Sequence, residues 1–72
     1  MTSHRIPRSG PFDLTTKTGL TVSVWYNREI RLWTLQLKDT EGNQIGPAYG
    51  GEAEYSHSRP EAVASAISYL DR

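Results

Sequence analysis

LTVSVWYNREIRLWTLQLK, residues 20–38, decides the fold of this 72-residue chain. Leu20, Val22, Val24 and Tyr26 alternate with Thr21, Ser23 and Trp25, a period-two pattern of β-branched and aromatic residues that predicts a strand buried on one side. Asn27 to Glu29 is a polar break, and a second strand follows from Arg31 to Lys38. Trp33, Leu35 and Leu37 share a parity, so a hairpin aligns them with Val24, Val22 and Leu20 in one continuous apolar face. The opposite face then carries Thr21, Ser23 and Trp25 from one strand and Leu32, Thr34, Gln36 and Lys38 from the next.

Downstream, Asp39 to Asn43 is a turn cluster. The stretch from Gln44 to Tyr55 is a poor strand, interrupted by Gly46, Pro47, Gly50 and Gly51. A proline cannot donate to a central ladder, so this stretch belongs at an edge, broken at a Tyr49-Gly50-Gly51 bend. Ser58, Arg59, Pro60 and Glu61 open a helix through a capping box, and Val63, Ala66, Ile67 and Leu70 recur on one helical face. Upstream, Phe12 and Leu14 begin a short strand that ends at Lys17-Thr18-Gly19. Residues 1–11, with two prolines and little to bury, read as a flexible arm. The predicted architecture is α+β: residues 12–72 form an antiparallel meander of three or four strands with one C-terminal helix on one face (β-β-β-α).

A chain this short buries only about 60% of its unfolded surface, so one core is all it supports. It contains no cysteine, which removes disulfides and thiolate metal sites. No apolar run approaches the roughly 20 residues of a membrane span, and the first residues do not resemble a signal peptide, so a cytoplasmic protein is the default expectation. Formal net charge is zero, but residues 1–38 hold six basic against two acidic side chains and residues 39–72 hold two against six. Either a dipolar surface results, or a meander interleaves the halves and disperses the charge.

Catalytic chemistry finds little support. His4 lies in the arm and His57 has no serine and acid arrangement around it, so no catalytic residue is assigned and an enzyme is not expected. Glu52, Glu54 and His57 are the one cluster of potential metal ligands. Their spacing matches no metal site, and a solvated acidic edge is expected, with no metal and no cofactor. His57 and Arg59 at the helix start are accounted for by local capping.

One helix covers one face of such a sheet and leaves the other to water or a partner. Trp25 beside Leu32 on an otherwise polar surface points to a binding role, because an indole combines large apolar area with a donor and little rotamer entropy. The expected function is a small noncatalytic protein-interaction module that docks a larger protein through Trp25, Leu32, Thr34 and Gln36, with Arg28, Arg31 and Lys38 at its margins. Tyr49 is a secondary contact. Small cysteine-free domains of this kind are common among phage and plasmid accessory and inhibitor proteins, anti-CRISPR proteins among them, an analogy of size and composition.

The string from Trp33 through Lys38, Gly42, Tyr55 and Ser58-Arg59-Pro60-Glu61-Ala62 resembles the arm-binding domains of phage integrases and the plant AP2 domain. That resemblance implies a sheet entering the DNA major groove with a helix behind it, and hence the alternative of a DNA- or RNA-binding domain using Arg28, Arg31 and Lys38, helped by Arg5 and Arg8. The strands here are poorer in Arg and Lys than in those families, and Glu52 and Glu54 would repel phosphate. A homodimer through the open face or an exposed edge is a third expectation.

Overall fold

The computed structural model describes residues 6–70 and forms an α+β fold. Five strands, β1 (Phe12–Thr15), β2 (Thr21–Asn27), β3 (Leu32–Lys38), β4 (Gln44–Gly46) and β5 (Glu54–Ser56), precede one helix, α1 (Arg59–Leu70). The sheet runs β1-β2-β3 with antiparallel pairing, and β4 and β5 share the outer edge of β3. The poor third strand is therefore two pieces, separated by a 3₁₀ turn at Tyr49–Gly51, as the Gly and Pro punctuation predicts.

The hairpin register differs from the expected one by two residues. Val22 faces Leu37, Val24 faces Leu35 and Tyr26 faces Trp33. The reason is the turn, which spans Arg28 to Arg31: Asn27 Oδ1 accepts from the Glu29 amide at 3.0 Å, and Arg31 takes a left-handed φ of 56° before β3 begins. Because side chains alternate with period two, this even shift leaves every residue on its expected face.

Phe12, Val22, Val24, Leu35 and Leu37 form the sheet side of the core. The helix side departs from expectation. Ala62, Ala66 and Leu70 are buried, whereas Ile67 is 40% exposed and Val63 only flanks the core. The small side chains of Ala62 and Ala66, at i and i+4, let the helix axis lie close over β2 and β3, and this closeness outweighs burial of the larger Ile67. Of the expected capping box, the Glu61 amide donates to Ser58 Oγ at 3.4 Å.

Overall extents of 32 × 29 × 15 Å fit two layers, with sheet and helix accounting for the short dimension. Among the described residues nothing forms a third layer on the far side of the sheet.

Residues 1–5 of the expected arm lie outside the described residues. The remainder is tied down by Arg59, which donates from Nε to Gly10 O (3.0 Å), from Nη1 to Arg8 O (3.1 Å) and from Nη2 to Pro7 O. The guanidinium carbon lies 5.6 Å from the Phe12 ring centre and 6.0 Å from that of Trp33. Ile6 packs against the core from this segment.

Candidate interaction face

The register builds the surface turned away from α1. Thr21, Ser23, Trp25 and Asn27 of β2 lie opposite Lys38, Gln36, Thr34 and Leu32 of β3, and Tyr55 of β5 lies opposite Thr34. Trp25, Thr34 and Tyr55 therefore form a row across three strands, the two aromatic positions about 10 Å apart at two strand spacings. Trp25 is half-buried and Tyr55 is 49% exposed. Between them Thr34 is only 2% exposed, and its Oγ1 has no hydrogen-bond partner among the described residues.

The centre of this face, Ser23, Trp25, Thr34, Gln36 and Tyr55, carries no charge. Charged groups stand at its margins: Asp13 on β1, Lys38 at one end of β3, and Arg28 and Arg31 in the turn at the other end. An uncharged centre with aromatic residues and a charged rim is the usual anatomy of a protein interface. Six residue steps along β3 separate Leu32 from Lys38, about 20 Å at the strand rise, so the turn arginines and Lys38 do not converge on one phosphate track.

Gln36, expected as a contact residue, lies on this face but is 5% exposed. The gap between β4 and β5 falls beside it, and its amide closes that gap: Nε2 donates to Gly46 O at 2.8 Å and to Gly51 O at 3.1 Å. Gly51 has φ 82°, and a Cβ there would sit 2.7 Å from Gln44 O, so glycine is required for the loop to close. The Ala48 amide donates to Glu52 O at 2.9 Å across the same loop. Tyr49, 99% exposed, is thus carried on a segment fixed at both ends.

Glu54 overturns the reading of residues 52–57 as a solvated edge. It pairs with Leu35, a core residue, so its side chain is on the helix side, half-buried, where Ser65 Oγ donates to Oε1 at 3.4 Å. Glu52 and His57 are exposed. Among the described residues no three metal-ligand side chains converge.

The turn after β3 is built on the Asp39 carboxylate. Asp39 is held below the ordinary carboxylate range, first by the backbone amide of Asn43 and further by the Asn43 side chain and the Glu41 and Gly42 amides. Its Oδ1 accepts from the Asn43 and Glu41 amides, each at 2.9 Å.

Tyr55 and Arg59 were not singled out by sequence reasoning as contact and clamp. The parity of Tyr55 is legible only once the broken strand is in register, and the partners of Arg59 lie some fifty positions away in sequence. Among the described residues no helix is long and apolar enough to cross a membrane. Comparison with protein-family models, curated proteins and solved structures finds no match.

Proposed function

We propose that the chain is a noncatalytic protein-interaction module that docks a larger protein through the face opposite α1, working in the cytoplasm as its cysteine-free composition suggests. The supporting observation is the row Trp25–Thr34–Tyr55, which sets two aromatic rings on a rigid, uncharged sheet surface with charges confined to the rim. Docking there covers apolar area without ordering a flexible segment, so little conformational entropy is lost on binding. Leu32 extends the patch toward the hairpin turn, and Tyr49 supplies a contact at the β4–β5 edge.

The nucleic-acid alternative uses the same face, but its basic residues divide between opposite ends of β3. Affinity capture from native host lysate, with and without nuclease, compares the wild-type chain with a Trp25→Ala/Tyr55→Ala variant. The proposal expects a protein partner that survives nuclease and is lost from the folded variant. Capture that disappears with nuclease points to nucleic acid, and capture indifferent to the double substitution refutes the assignment of the face.

A further inference from the structure

Among the exposed large hydrophobic side chains described, Tyr49 stands apart at 99% open to water, so the fold gains no packing from its ring. The segment that carries it is nevertheless firmly held. The buried Gln36 amide bonds Gly46 O and Gly51 O on either side of the loop, and the Ala48 amide closes the loop onto Glu52 O. Gly50 and Gly51 turn the chain with left-handed φ of 75° and 82°. A ring that stabilises nothing, carried on backbone fixed by a buried side chain, is pre-organised for burial elsewhere.

Its surroundings give that destination a charge. From Asp39 to Ser58 the chain has four acidic side chains and no lysine or arginine. Glu41 and Glu52 are exposed, and Gly51 packs against Gln44, which sets Glu52 beside β4 and close to the turn that carries Glu41. Ile45 of β4 is 49% exposed at the same edge. Lys38 pairs with Gln44, but its parity assigns it to the sheet face.

We propose that Tyr49 is an anchor that enters a phenol-sized pocket of the protein partner, and that lysine or arginine at the mouth of that pocket meets Glu41 and Glu52. The inference rests on the reading of the chain as a protein-interaction module and adds a second point of attachment at the β4–β5 edge, opposite in charge to the Arg28 and Arg31 margin of the face. A tyrosine has only two χ angles to fix and about 150–250 Å² to bury, which suits it to the centre of a hot spot sealed by weaker contacts. Two carboxylates at the same edge repel phosphate, so the occupant is a protein surface and not nucleic acid.

In the test, the nuclease-resistant protein that the wild-type chain retains from host lysate is identified by mass, purified and measured against each variant by interferometry at low and physiological salt. Tyr49→Ala weakens binding at least about thirtyfold, mainly through faster dissociation, and leaves the Tm unchanged. Tyr49→Phe, which keeps the ring, loses about tenfold or less. Glu41→Gln/Glu52→Gln associates at least about threefold more slowly at low salt, and the difference shrinks at physiological salt. Binding of Tyr49→Ala within about threefold of the wild type overturns the anchor, and unchanged or faster association of the glutamine variant overturns the basic mouth. Retention of the chain itself and no other protein assigns the edge to a second copy and overturns the proposal. The Trp25→Ala/Tyr55→Ala variant keeps the two attachments apart: if it binds as the wild type does while Tyr49→Ala does not, the sheet face fails and the anchor stands, and if it alone loses binding, the anchor fails and the face stands. Recovery of no nuclease-resistant protein refutes both.

Discussion

Replacing Gln36 by leucine removes two hydrogen-bond donors at nearly constant volume and leaves the Gly46 and Gly51 carbonyls facing an apolar side chain. Gly46 is buried and Gly51 half-buried, and a buried acceptor left unpaired costs about 1–3 kcal/mol, the lower end applying to Gly51. The expected loss is about 2–4 kcal/mol, a large part of the ~5 kcal/mol available to a small domain. At about 4–8 °C per kcal/mol for this size, the melting temperature falls by roughly 10–25 °C. Urea unfolding followed by tryptophan fluorescence measures the loss, and amide hydrogen exchange at Ala48 reports the loop directly, because that amide donates to Glu52 O. Gln36→Glu, which points carboxylate oxygens at two carbonyls, should be worse than leucine. If Gln36→Leu lies within about 0.5 kcal/mol of the wild type, inside the range of an ordinary surface change, and Ala48 exchange is unaltered, the clamp is wrong.

Arg59→Ala removes the three bonds to Pro7, Arg8 and Gly10, so trypsin should cleave after Arg8 faster than in the wild type; Arg59→Lys should not restore protection, since an ammonium cannot span the carbonyls as a planar fork does. Leu35→Ala, in the core, should cost about 2–5 kcal/mol in chemical denaturation, whereas Trp25→Ala, on the open face, should cost about 1 kcal/mol and leave the far-UV spectrum intact. Asp39 contributes by its lowered pKa, a stabilisation present above its unfolded value near 4 and lost as pH falls through the lower folded value. Stability of wild type and Asp39→Asn should therefore differ at neutral pH and converge below about pH 4 in acid-unfolding curves.

The faces of the hairpin were legible from alternation alone, because an error of two in register changes no side chain's direction. The break in the third strand was equally legible, since Pro47 has no N–H to give a ladder and the Gly50-Gly51 step turns the chain. Which helical residues face the sheet was not: hydrophobicity favours Ile67, but close approach favours Ala62 and Ala66, and only the packed distance decides between them. Gln36 alternates as a surface residue and is buried because the gap between β4 and β5 falls beside it. Tyr55 joins Trp25 through a register that the irregular edge conceals, and Glu54 turns toward the helix for the same reason. Trp25, Leu32 and Thr34 were placed on one surface by parity, and the structure adds the uncharged centre and the separation of Lys38 from the turn arginines.

Photo-cross-linking in native host lysate tests the docking account most directly, comparing a benzophenone amino acid introduced at Ser23, in the middle of the sheet face, with the same group at Ala64 on the exposed side of α1. A nuclease-resistant protein adduct from position 23 and none from position 64 is the outcome expected. An adduct from position 64 with none from position 23 would show that the helix side meets the partner.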